Sequence, residues 1–225
     1  MTELSPMGTI GTIKARHIGM SEKERQAVQS KQGRVVFGVD MKIVDADCME
    51  LPWDGATSGD LLVRGPTVVC DYFRNEGDSP LQFDDGGQGW FPTGDVATID
   101  ADGFMQITDR SKDVIKSGGE WIGSIDLENI AMAHPAVSQA ACIAGKHPKW
   151  DERPLLIVVR KPQAELTREE LLAFYEGKIA KWWMPDDVIF VDEIPLGATG
   201  KILKNQLRER FGDFLMQPAE RQRIA

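Results

Sequence analysis

Four short segments gather the residue types that can do chemistry. Residues 195–201, PLGATGK, deliver a single lysine from a glycine-containing loop ahead of an apolar-periodic stretch. Lys201 on such a loop can enter a site and leave it, stabilising negative charge that develops on a carboxylate and a phosphate during attack. Helix formation does not explain the residue, since a cation beside a helix N-terminus opposes the helix dipole. Residues 89–95, GWFPTGD, place Asp95 after a glycine-containing turn at the entry to a strand. A carboxylate there can accept hydrogen bonds from both hydroxyls of a ribose, or it can simply cap the turn. Residues 109–121, DRSKDVIKSGGEW, set a run of cations ahead of Gly118 and Gly119. Lys112 and Lys116 can neutralise phosphate charge, and the glycine pair can let backbone approach a ligand closely. A solvated charge run before a β-turn is the plainer alternative. Residues 1–6, MTELSP, offer Thr2 and Glu3, polar side chains of a kind also found at any frayed terminus.

Regular elements must hold these residues. Residues 1–32 show no clean periodicity and are expected to form a loop-rich approach to a sheet, with a charged stretch at 21–31. From 33 to 108 the pattern is short β runs, RVVFGVDMKIVD, DLLVRG, VATID and FMQIT, broken by turn chemistry. DADG at 100–103 predicts a hairpin with Gly103 at positive φ. The acidic, glycine-rich residues 75–88 are expected to be a surface loop. Beyond Arg110, Ser124 is expected to cap a helix that stops at His134-Pro135. AVSQAACIAG and LLIVVR predict buried strands, and residues 188–191 a further one. Thr167 and Glu170 form a capping box for a helix placing Leu171, Phe174, Tyr175, Ile179 and Trp182 on one face. A last helix presents Leu203, Leu207 and Phe211. Trp182, Trp183 and the histidines are expected to be packing residues. The fold class is α+β: a small β-rich subdomain followed by a compact α+β domain.

Composition narrows the function. The 225 residues are 42% hydrophobic and 27% charged, ordinary for a globular protein. A net charge of -9 argues against nucleic-acid binding, which needs clustered cations. No apolar run approaches the ~20 residues of a membrane-spanning helix, and the start lacks the layout of a secretion signal. Cys48, Cys70 and Cys142 are widely spaced without a CxxC, suggesting neither a disulfide framework nor a zinc site. A soluble, reduced, cytoplasmic protein is the simplest expectation, and no residue pattern specifies an oligomeric state.

In their order and spacing, MTELSP, GWFPTGD, DRSKDVIKSGGEWI and PLGATGK resemble the C-terminal part of an AMP-forming fatty acyl-CoA synthetase. That enzyme class belongs to the adenylate-forming superfamily, with adenylation domains and luciferase. The resemblance implies that residues 1–109 are the remainder of a large N-terminal domain, 110–112 a hinge, and 113–225 a mobile C-terminal domain. It implies ATP, Mg2+ and coenzyme A as substrates or cofactor, and a medium- or long-chain fatty acid as the acid. Lys201 matches the adenylation lysine. Thr2, Asp95, Arg110, Lys112, Lys116 and Trp121 match ATP- or AMP-contacting positions, Lys112 also being the hinge residue. Gly119 matches the glycine that keeps the pantetheine path open, and Glu3 the carboxylate that helps hold Mg2+. One position departs from a common pattern: Gly197 stands where relatives often have a hydroxyl. Lys112 stands where many relatives have aspartate, and lysine there is also common. KHPKWDERPL at 146–155 gathers Lys146, Lys149 and Arg153 around Trp150, a setting for the nucleotide end of CoA or a plain surface loop. The resemblance begins inside a motif and includes neither the phosphate loop nor the acyl pocket. The chain is therefore expected to be a fragment that needs an N-terminal domain and is inactive alone. The alternatives are a ligase for another carboxylic acid or for a carrier protein, and a non-catalytic remnant or interaction module.

Overall fold

The computed structural model describes residues 1–75 and 78–216, which form two compact units, Met1–Lys112 and Asp113–Ala225. In the first unit β1 (Thr9–Ile10) pairs with β2 (Arg34–Val35). An antiparallel sheet follows, made of β3 (Asp40–Val44), β4 (Gly59–Arg64), β5 (Gln82–Phe83), β6 (Gly89–Ile99) and β7 (Met105–Arg110). Its order is β3-β4-β6-β5, with β7 also on β6. Alternation sorts the side chains. Met41, Ile43, Leu61, Val63 and Ile99 share one buried cluster, while Val44, Leu62 and Trp90 pack together in another. The β6–β7 hairpin turns as the sequence predicts. Gly103 takes φ 79 and its N–H donates to the Asp100 carbonyl at 2.8 Å.

Two expectations for this unit change. Residues 21–31 are not loop, because α1 (Glu22–Gln29) starts at a complete capping box between Ser21 and Glu24. None of its residues is buried, so the apolar period that usually betrays a helix is missing. The segment leading into it is held by charge. Lys14, Arg16 and the buried His17 converge on Asp102, and Lys31 pairs with Asp100 at 2.7 Å. Within the expected loop 75–88, Gln82 and Phe83 instead pair with Trp90 and Gly89 as β5. Glu76 and Gly77 lie outside the described residues.

The second unit is built on one hairpin, β10 (Val137–His147) against β11 (Asp151–Arg160). A short hairpin, β8 (Ile115–Ser117) and β9 (Glu120–Ile122), joins one end of β11, and β12 (Asp187–Phe190) pairs with β11 in parallel. Among the described residues three α-helices cover it: α2 (Ser124–Met132), α3 (Arg168–Phe174) and α4 (Lys204–Phe211). Ala140, Cys142, Leu156 and Val158 pack with Leu127 of α2 and Leu171 of α3. Ala141, Ile143, Leu155 and Ile157 pack with Leu207 of α4. Both faces of the hairpin are buried, which is why its strands read as continuous apolar runs. Each fully buried Leu or Ile contributes about 1.5–3 kcal/mol. The architecture is α+β, as the sequence leads one to expect.

Here too two details differ. Ser124 is the first residue of α2, not its cap; its hydroxyl accepts a hydrogen bond from Lys204 Nζ at 2.6 Å. The helix α3 keeps its capping box but ends at Phe174, so Ile179 and Trp182 lie beyond it. Gly177, at φ 74, lies in the turn that follows. Tyr175, fully buried at the end of α3, donates its hydroxyl to the Leu127 carbonyl of α2 at 2.5 Å. Tyr175→Phe keeps the ring and removes that bond, and is expected to cost about 1–2 kcal/mol in the denaturant unfolding of the chain.

Candidate functional site

The first unit presents Asp95 from a bulge. Leu62 pairs with Pro92 and Asp60 with Val96, so Leu61 alone faces Thr93, Gly94 and Asp95. The TGD sequence builds this directly. The buried Thr93 hydroxyl donates to the Leu61 carbonyl at 3.0 Å and accepts the Asp95 N–H at 3.2 Å. Gly94 takes φ 72, a conformation that costs a side chain dearly. Asp95 thus stands inside a long strand, and not after a turn at a strand entry as the sequence suggests. Across the hairpin it pairs with Arg110, whose Nη1 lies 3.0 Å from Oδ1. Asp95 also lines a cavity of about 180 Å³ with Leu4, Met41, Val63, Thr93 and Ile107.

Thr2 and Glu3 lie in a short turn of 3-10 helix beside this cavity, Thr2 exposed and Glu3 half-buried. The Glu3 carbonyl accepts the Val69 N–H at 2.8 Å. Its carboxylate has no hydrogen-bond or ion-pair partner among the described residues. One free carboxylate suits Mg2+, which takes one or two from a protein and fills its shell with phosphate and water. No group of three or more His, Cys, Asp or Glu side chains among the described residues is arranged to hold a metal ion.

The second unit carries Lys116, Gly119, Trp121 and Lys201. Gly118 (φ 60) and Gly119 (φ 91) close the β8–β9 hairpin in the two-residue turn that demands positive φ at both centres. Lys116 and Trp121 face each other across it, the ammonium 5.2 Å from the ring centroid. A Cβ on Gly118 would meet the Trp150 ring at 2.9 Å, whereas one on Gly119 would meet nothing within 4 Å. Gly118 serves packing, and Gly119 leaves an open face. Lys201 sits on a tight loop closed by Gly197 N–H to its carbonyl at 2.8 Å and by the Leu196–Ile202 bridge. Its side chain is exposed and unpaired among the described residues. Behind it α4 is fixed at two points, Lys204 to Glu128 at 2.7 Å and Arg208 to Asp113 at 2.7 Å.

The structure therefore joins Asp95 to Arg110 and Lys116 to Trp121. It leaves Lys112 and Lys201 as exposed cations without partners among the described residues. The cluster read from KHPKWDERPL separates: Lys149 stacks on Trp150 at 4.5 Å, Lys146 pairs with Asp213 at 2.8 Å, and Arg153 turns inward to Asp186 at 2.7 Å. Arg153 is the residue whose role sequence spacing misses, because its partners lie some thirty residues away.

One unit thus presents a bulge aspartate, and the other a glycine turn and a loop lysine. Residues 126–201 match the AMP-binding enzyme C-terminal domain. The chain is 52% identical over 217 residues to a medium-chain-fatty-acid–CoA ligase of Ectopseudomonas oleovorans, covering 96% of this chain and 39% of that one. It is 54% identical over 215 residues to a 3-methylmercaptopropionyl-CoA ligase of Ruegeria lacuscaerulensis, again 96% and 39%. Among solved structures it resembles ATP-bound MatB from Rhodopseudomonas palustris, with a TM-score of 0.70, 33% identity, and 82% and 36% of the two chains covered. The chain belongs to the AMP-binding, adenylate-forming enzyme family, and it spans 39% of the length of these ligase relatives. Among the described residues no helix is long and apolar enough to cross a membrane.

Burial pushes the Asp95 carboxyl above the ordinary aspartate value, and the Arg110 guanidinium pulls against it without winning. A raised folded pKa means that stability falls as pH rises from about 3.8 through that value, so at pH 7 the ionised group is a net cost. Asp95→Asn should raise the thermal midpoint at pH 7, with the gain shrinking as pH falls toward 4. Thermal unfolding of both proteins across this range checks it.

Proposed function

We propose that the chain is the C-terminal part of an ATP-dependent, AMP-forming acyl-CoA synthetase that activates medium- or long-chain fatty acids. Its likeness to the medium-chain-fatty-acid–CoA ligase across 96% of its length carries this conclusion. A carboxylate is a poor electrophile, and conversion to a mixed anhydride with AMP gives it a good leaving group. In the first step the fatty acid carboxylate attacks the α-phosphorus of ATP and pyrophosphate leaves. In the second, the CoA thiolate attacks the acyl carbon and AMP leaves as the thioester forms.

Each residue has a role that its setting suits. Lys201, on an exposed loop with no competing anion among the described residues, stabilises charge on the carboxylate and α-phosphate as the first bond forms. Asp95 accepts from the ribose hydroxyls while Arg110 fixes its carboxylate. Thr2, Lys112, Lys116 and Trp121 contact the nucleotide, and Glu3 would supply a carboxylate to Mg2+, which when bound neutralises phosphate charge. Gly119 gives the pantetheine arm a path past the backbone. Residues 1–109 belong to the large N-terminal domain and 113–225 to the C-terminal domain. Rotation about 110–112 exchanges the Lys201 loop for the Gly119 face between the steps. ATP, CoA and the fatty acid are the small-molecule partners, and the remaining N-terminal portion is required for activity.

A second reading, activation of another carboxylic acid, is favoured by the 54% identity to the 3-methylmercaptopropionyl-CoA ligase. The roles above are the same in either case, because the resemblance assigns acid selection to residues upstream of this chain.

The test uses a chimera in which this chain replaces the matching part of the Ectopseudomonas ligase. Lys201→Ala should lower ATP–pyrophosphate exchange by about a hundredfold or more. Thioester formation from supplied acyl-AMP should stay within a few-fold of the parent. Equal loss of both half-reactions would contradict the role given to Lys201.

A further inference from the structure

The β8–β9 hairpin is too small to hold its own shape. Its strands are three residues each, and among the described residues its one ladder link to the larger sheet is Ser117 to Asp151. Isolated pairs of this length are marginal in water. The tip that carries Gly118 and Gly119 must therefore be fixed from outside, and the β10–β11 turn fixes it. Gly118 N–H donates to the Trp150 carbonyl at 3.0 Å, and Lys116 N–H to the Glu152 carboxylate at 2.8 Å. The Trp150 ring lies where a Gly118 side chain would be.

Arg153 completes the arrangement. Its Nη1 donates to Ser117 Oγ at 3.1 Å and to the Trp182 carbonyl at 2.8 Å. Its Nη2 reaches the Met184 carbonyl at 2.9 Å, and its Nε the Asp186 carboxylate at 2.7 Å. Four of its five N–H groups are committed, and its side chain is 12% exposed. Such a guanidinium is not free to meet a ligand phosphate. It is a rigid post between the loop at 182–186 and Ser117, the residue directly before the glycine turn. The inner side of the turn is thus clamped while the outer side at Gly119 stays open.

We infer that Arg153, acting through Ser117, is a positioning residue for thioester formation, holding the Gly118–Gly119 turn in the shape that admits the pantetheine arm. The inference rests on the acyl-CoA synthetase function proposed above. Lys201 lies on a different loop, so adenylation does not depend on this clamp. A lysine at 153 cannot replace it, because a single ammonium does not reach four acceptors in a fixed fork.

The test separates the clamp from that function. Arg153→Ala removes bonds to four partners and can fail to fold, so Ser117→Ala, which spares Asp186, Trp182 and Met184, is the principal variant. In the chain itself, hydrogen exchange at the Gly118 amide should speed up by about tenfold, the weight of one hydrogen bond to a charged group, with β10 amides unchanged. In the ligase chimera, kcat/KM for CoA should fall by a similar factor while ATP–pyrophosphate exchange stays within twofold. Unchanged Gly118 exchange, or equal loss of both half-reactions, would overturn the inference. A parent chimera that forms no acyl-AMP would overturn the proposed function instead, and the exchange measurement would still decide whether Ser117 holds the turn.

Discussion

Burial of both faces of the β10–β11 hairpin is the constraint on which the second unit depends. One face takes the apolar stripes of α2 and α3, and the other takes α4. A one-residue slip would exchange the two sets of side chains and leave neither helix layer a complement. With that register fixed, the turn at 148–150 sits beside the β8–β9 tip, and Leu207 holds α4 close behind the Lys201 loop. The chemistry-bearing loops need little packing of their own, because the hairpin beneath them supplies it.

The first unit answers a different demand. It holds a carboxylate partly out of water, and the means is local: a threonine that pins the bulge, a glycine that turns it, and an arginine on the next strand. Burial outweighs the arginine, so Asp95 is a charge the fold tolerates at some cost. Such a cost is reasonable where the group has a ligand to meet. Lys112 and Lys201 show a related economy, since an exposed cation with no anion partner among the described residues is available to a phosphate.

Much of this was legible in the sequence, where local chemistry decides. DADG specifies its hairpin turn, Thr167 with Glu170 specifies a helix start, and two uninterrupted apolar runs specify strands buried on both sides. What escaped had a physical reason in each case. The helix at 22–29 has no apolar face, so periodicity is silent even though its capping box is present. Gly94 reads as a turn glycine, and only the pairing of Leu61 against three residues reveals a bulge. Ser124 has the composition of a cap, but a lysine eighty residues later takes its hydroxyl. Arg153 looked like a surface cation because its acceptors at 117, 182, 184 and 186 are brought together only by the fold. The motif residues were found by type and spacing, and their resemblance to a family assigned roles that spacing alone leaves open.

The function proposed for this chain is to supply working catalytic parts to an AMP-forming acyl-CoA synthetase. The most direct measurement is CoA-dependent AMP release and acyl-CoA formation by the chimera that joins it to the remainder of the Ectopseudomonas ligase. Medium-chain acyl-CoA and AMP are expected in equal amounts, with neither formed when ATP is withheld. A folded chimera that binds ATP yet yields no thioester would contradict the proposed function.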